Sequence, residues 1–141
     1  MTDTPHILVT GSTRGIGAAI ATSFAERGAR FIGHGRADGE LVLGADLAQA
    51  GAADALWDRA LARLDGRIDV LVNNAGVFEP IEVGSPTDAW QAAWGRTMQI
   101  NLQASADLCR RAVLHWRQRG VGGRIVNVAS RAAYRGDSPA H

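Results

Sequence analysis

Residues 10–17, Thr-Gly-Ser-Thr-Arg-Gly-Ile-Gly, constrain the fold of this chain more than any other stretch. The apolar run His6-Ile7-Leu8-Val9 before them reads as a buried strand, and Ile16, Ile20 and Phe24 after them recur at helical spacing. A strand, a glycine turn and a helix in that order form a phosphate site. Gly11 permits a tight turn off the strand, Gly15 lets the backbone approach a pyrophosphate, and Gly17 lets the helix pack close to the sheet. The free N–H groups at the helix start then face an anion. The pattern G-x-x-x-G-x-G differs from the better-known G-x-G-x-x-G, and taken alone it reads equally well as an ordinary strand-to-helix turn.

The 141 residues suffice for one domain, 1–141, with a single core. A net charge of +1 offers no field for nucleic acid, and no apolar run approaches the roughly 20 residues of a membrane span. The first residues, Met1-Thr2-Asp3-Thr4-Pro5, lack the basic and apolar parts of a secretory signal, so a cytoplasmic location is expected. One cysteine, Cys109, excludes an internal disulfide and a multi-cysteine metal site, and its spacing suggests a small buried hydrophobe. The four histidines show no metal-ligand spacing, so no metal is expected, although His34 falls where a strand tip would approach a ligand. All 15 basic residues are arginine, so any chemistry that needs a lysine ammonium cannot be completed by this chain.

The periodicities predict a first strand over residues 6–10, a helix over 15–27 capped by Gly28, and a second strand over 31–35 with Arg36 just beyond it. A short third strand at Leu41-Val42-Leu43 leads to Asp46 and Leu47, with no room for a helix before it. A helix over 52–64 and a fourth strand over 68–72 follow, the strand running into Asn73-Asn74-Ala75-Gly76. Asp88 is placed to cap a short helix carrying Trp90 and Trp94. A long helix should then bury a stripe of Met98, Leu102, Ala106, Cys109, Val113 and Trp116. Residues 124–129 form the fifth strand and residues 130–141 are irregular. Alternating strands and helices imply an α/β doubly wound parallel sheet of the Rossmann type, in strand order 3-2-1-4-5. Ligands bind such sheets at the carboxyl ends of the strands, beside the switch point between strands 1 and 4. The glycine turn, Arg36, Asp46, residues 73–76 and Ser130 all fall there.

With these residues assembled, the chain resembles the N-terminal part of a short-chain dehydrogenase/reductase. The resemblance rests on residues 10–17, Asp46-Leu47, Asn73 to Gly76, Asn101 within Ile100-Asn101-Leu102, and Ser130 closing Arg124 to Ala129. It implies hydride transfer between a nicotinamide cofactor and a carbonyl or alcohol substrate. Asp46 would then bond the adenine amino group, and Asn73, Ala75 and Gly76 would buttress the sheet and line the ribose side. Asn101 would hold a relay water, and Ser130 would bond the substrate oxygen. The plainer readings are that Asp46 caps a helix and that Ser130 merely ends a strand.

The resemblance is incomplete. The family's catalytic tyrosine, a little over a dozen residues past the serine, and the lysine four residues further on would fall beyond His141. Tyr134 is too near Ser130 and has no lysine after it. The chain is therefore expected to be truncated relative to the family and inactive alone. Family members that use NAD carry an acid at the end of strand two. Gly35 stands there, beside Arg36 and Arg14, which favours the 2′-phosphate of NADP over NAD, with Asp38 the one acid that could bend in. Asp137, Ser138 and His141 are nucleophile-type residues without a glycine elbow and give little support to a hydrolase. Two further classes stay open: a nucleotide-binding or assembly module without chemistry, and a structural fragment that associates, as a homo-oligomer, through the unfinished fifth-strand edge and the long helix.

Overall fold

The computed structural model describes residues 4–135, so Asp137, Ser138 and His141 lie outside the described residues. Five parallel strands form one sheet in the order β3-β2-β1-β4-β5. They are β1 (His6–Val9), β2 (Arg30–Gly35), β3 (Val42–Gly44), β4 (Val70–Asn73) and β5 (Arg124–Asn127). Register is set by Leu8 opposite Ile32 on one side and Leu71 on the other, with Leu71 opposite Ile125.

Because strand side chains alternate, β1 feeds two cores. Leu8, with Ile32 and Leu71, packs under α2 (Ala52–Arg63) and α4 (Ala104–Arg119), against Leu56, Trp57, Ala60 and Leu108. Ile7 and Val9, with Val72, face α1 (Gly15–Glu26) through Ile20 and Phe24. Burial on both faces explains why β1 and β4 read as continuous apolar runs rather than alternating ones. On the α1 side of β5, Val126 remains 48% exposed.

The expected crossover without a helix is real: residues 36–41 link β2 to β3, and the two strands still run parallel. Such a short link reaches because β3 lies opposite only Gly33 to Gly35, so the chain has to travel back roughly 7–10 Å. Leu41 is outside β3 and half exposed.

The long helical segment departs from expectation. Helix α3 (Thr87–Met98) starts after Pro86 with no side-chain cap, so Asp88 sits in the first turn instead of capping it. It runs into α4 through a π-helical turn, Gln99–Gln103. That wider turn rotates the following helix, and the buried row is Ile100, Ala104, Leu108, Ala112 and Trp116. Met98, Leu102 and Val113, expected inside, are exposed, and Cys109 is half-buried. The alanines of the true row let α4 approach α2 closely, a choice that hydrophobicity alone does not reveal. After β5 the backbone forms a short helix, α5 (Ala132–Arg135), where irregular chain was expected.

At the amino ends of the strands, Asp69 ties the sheet together. Its carboxylate accepts the His6 N–H at 2.9 Å, Arg67 Nε at 2.7 Å and Arg119 at 3.4 Å. Burial pushes the carboxyl up, but Arg67 and the His6 N–H outweigh it and hold it below its usual 3.8. The stabilisation is therefore present above pH 3.8 and lost as pH falls through the lower folded value. Asp69→Asn should cost about 1–3 kcal/mol at pH 7 in urea unfolding, and the difference from wild type should shrink as pH falls below 3.8. A pH-independent difference would contradict this role.

Candidate functional site: a cleft at the carboxyl ends of the strands

The turn after β1 is held from three sides. Thr10, fully buried, accepts the N–H groups of Asn74 and Ala75 on its hydroxyl, both at 3.0 Å. The Asn74 amide donates back to the carbonyls of Thr10 and Gly11, also at 3.0 Å. These bonds join the tips of β1 and β4 at the point where the strand order reverses. Ser12 turns inward instead and donates both its N–H and its hydroxyl to the His34 carbonyl.

Helix α1 then starts at Gly15 with no side-chain cap and no acidic residue in its first turn. Its opening N–H groups therefore lack the usual internal acceptor and carry the positive end of the helix dipole. Gly15 has a φ of +54°, and a β-carbon there would meet nothing within 4 Å. Gly17 is the opposite case. A β-carbon there would overlap the Gly11 carbonyl and the Asn74 amide, so the absence of a side chain lets α1 sit against the turn.

Above this turn lies a cleft of about 660 Å³, a normal size for a small-molecule site. It brings together Gly11, Thr13, Arg14, Gly15, Ile16, Gly17, Arg36, Asp46, Leu47, Ala75 and Gly76. Ser12, Asn73, Asn101 and Ser130 do not line it. Asn73 is buried, and its amide donates to Asn127 on β5 at 2.9 Å and to the Cys109 sulfur at 3.2 Å. Asn101, in the π-helical turn, clasps Val77: its Oδ1 accepts the Val77 N–H and its Nδ2 donates to the Val77 carbonyl, both at 2.8 Å. One donor and one acceptor of that amide remain available. Ser130 is exposed, and its hydroxyl oxygen accepts the Ala132 N–H at 3.2 Å.

Among the described residues, three arginines, Arg14, Arg36 and Arg96, line the cleft with a single carboxylate, Asp46. The Ala48 N–H holds that carboxyl below its usual range, helped by the Gln49 side chain and by Arg96 and Arg36. Arg96 went unnoticed in the sequence because no motif marks it. Helix α3 carries it to the cleft wall, where it pairs with Glu79. Val77, Ile100 and Ala45 also line the wall without any sequence signal, whereas His34 was flagged by its position at a strand tip.

Asp38, the acid that could have entered, is held elsewhere. It accepts the Gly44 N–H at 2.8 Å and pairs with Arg59 at 2.5 Å. At Gly35 a β-carbon would lie 2.5 Å from the Thr13 methyl, so the β2 tip has no space for an acidic side chain while Thr13 stays in place. Among the described residues no cluster of His, Cys, Asp or Glu could hold a metal ion, and no helix is long and apolar enough to cross a membrane.

The family model described as short chain dehydrogenase matches residues 5–138. The chain belongs to the short-chain dehydrogenase family. Its relatives include a 3beta-hydroxysteroid dehydrogenase 1 from Eggerthella lenta, 34% identical over 88% of this chain and 52% of the relative. A D-threitol dehydrogenase from Mycolicibacterium smegmatis is 38% identical over 89% of this chain and 52% of the relative. The chain thus spans about half the length of these short-chain dehydrogenases. Among solved structures, an NADH-dependent reductase A1-R′ complexed with NAD superposes with a TM-score of 0.82 at 25% identity, covering 96% of this chain and 64% of the other. A 4-hydroxyisoleucine dehydrogenase complexed with NADH gives 0.81 at 26% identity, covering 96% and 60%.

Proposed function

We propose that this chain supplies the dinucleotide half of an oxidoreductase that passes hydride between NADP(H) and a small carbonyl or alcohol substrate. The observation that carries the reading is the pairing of an uncapped helix start at Gly15 with a cleft wall that bears three arginines. These residues fit a dinucleotide. The N–H groups of Gly15, Ile16 and Gly17 would hold the diphosphate, and Asp46 with Leu47 would take the adenine end. Ala75 and Gly76 take the ribose side, with Asn73 bracing the strand beneath them. Arg14 and Arg36 select the 2′-phosphate. The bound nicotinamide supplies or accepts the hydride.

The preference for NADP stands on Gly35, Arg36 and the anchored Asp38, and it departs from the two solved relatives, which are named with NAD and NADH. Ser130 uses an oxygen lone pair on Ala132, which leaves its O–H to donate to a substrate oxygen. The spare donor and acceptor of Asn101 suit a proton-carrying water. Tyr134 is 92% exposed, with no lysine anywhere in the chain to stand beside it, so it lacks the enclosed, cation-flanked setting that proton transfer to a substrate needs.

A second reading, a non-catalytic nucleotide-binding or assembly module, draws on that missing ammonium and on the apolar surface of Met98, Leu102, Val113 and Val126. The same surface suits a homo-oligomer. Both readings place the protein in the cytoplasm, with no nucleic-acid or membrane partner. Titration with NADPH followed by a turnover assay tests them. Binding without turnover by this chain, and turnover once the rest of a full-length relative is supplied, is the expected result. No binding of either NADPH or NADH would contradict the oxidoreductase reading and leave only the assembly role.

A further inference from the structure

The tip of β2 reads Gly33-His34-Gly35, and each residue is matched to one residue of the turn after β1. Gly33 leaves room for the Ser12 hydroxyl, and Gly35 for the Thr13 methyl. Between them the His34 side chain, 6% exposed, reaches Gly11: the Gly11 N–H donates to Nδ1 at 3.1 Å. The other ring nitrogen, Nε2, lies 3.1 Å from the Ala45 carbonyl. Ala45 precedes Asp46, so one imidazole spans the two segments that meet across the cleft floor.

We propose that His34 is a positioning residue of the cofactor cleft, holding the glycine turn through Gly11 and the Asp46 segment through Ala45 so that both stand ready for a dinucleotide. The proposal rests on the dinucleotide reading above.

Only one state of the ring satisfies both partners. An N–H faces Nδ1, so that nitrogen must accept, and the ring proton sits on Nε2, where the Ala45 carbonyl takes it. The imidazolium would set two N–H groups against each other at Gly11. Burial pushes the imidazole below its usual 6.5, partly offset by the Ala45 carbonyl. The charged groups around it in the cleft are Arg14, Arg36, Arg96 and Asp46. The Asp46 carboxyl is held below its usual 3.8, away from the range in which His34 changes charge. Hold on the turn is therefore complete above pH 6.5 and lost as pH falls through the lowered value of His34.

Two variants separate this role from simple filling of space. His34→Asn keeps an acceptor near the Nδ1 position that does not titrate, and His34→Leu keeps bulk without an acceptor. At pH 7.5, NADPH affinity should fall about tenfold or more in His34→Leu and stay within about threefold in His34→Asn. Read with NADH, which has no 2′-phosphate to titrate near pH 6, the acid loss of affinity in wild type should be absent from His34→Asn. Amide exchange at Gly11, read without ligand, should speed up in His34→Leu only. Wild-type affinity with unchanged Gly11 exchange in His34→Leu would overturn the proposal. A wild-type chain that binds neither NADPH nor NADH would defeat the functional reading, and Gly11 exchange would still decide the role of His34. Should His34→Leu not fold, nitrogen shifts of the wild-type imidazole decide: a proton on Nε2 supports the role, and a proton on Nδ1 refutes it.

Discussion

Gly17→Ala should abolish dinucleotide binding and lower the stability of the fold together. In an open helix, alanine would gain about 0.8–1 kcal/mol over glycine. Here the new β-carbon would overlap the Gly11 carbonyl and the Asn74 amide, so either α1 moves out or the turn gives way. Overpacking of this kind costs about 1–3 kcal/mol and outweighs the propensity gain. The damage spreads because Asn74 also bonds Thr10, and Thr10 carries the N–H groups of Asn74 and Ala75. Gly15→Ala provides the contrast. Its β-carbon meets no protein atom, so the fold bears only the left-handed strain of about 1–2 kcal/mol, while the methyl is added to a residue that lines the cleft. Thermal unfolding and NADPH titration of the two variants should show binding lost in both and packing disrupted only in Gly17→Ala. Unchanged stability in Gly17→Ala would mean that α1 does not rest on the turn as described.

Arg36→Ala should weaken NADPH binding by about tenfold to a hundredfold, because a charge-assisted bond to the 2′-phosphate contributes about 1.5–3 kcal/mol. NADH lacks that phosphate, and its affinity should change by less than about threefold on the same scale. No acid at the β2 tip replaces the lost recognition in favour of NADH. Asp38 is occupied by Gly44 and Arg59, and Gly35 has no room for a side chain beneath Thr13. Equal losses for the two cofactors would show that Arg36 contacts a part they share, and the preference for NADP would fall.

Much of the fold could be read from short-range patterns. Strand order followed from apolar runs and glycine turns, because β1 and β4 are buried on both faces and show no polar alternation. The gathering of the glycine turn, Arg36, Asp46 and residues 75–76 followed from their places at strand ends. The buried face of the long helix was not legible. Two apolar rows compete there, one through Met98 and Leu102 and one through Ile100 and Ala104, and the π-helical turn lies where they part. Arg96 was missed for a related reason, since only the placement of α3 brings it to the cleft. The motif singles out Asn101, yet its clasp on Val77 depends on a loop from another part of the chain.

The claim beneath all of this is that the uncapped start of α1 receives the diphosphate of a dinucleotide, and backbone amide shifts during titration with NADPH test it most directly. The account predicts saturable shifts at Gly15, Ile16 and Gly17, accompanied by the Arg36 side chain, that are reduced with NADH. Binding that leaves those three amides unmoved, or shifts confined to the outer face of Met98, Leu102 and Val113, would contradict it.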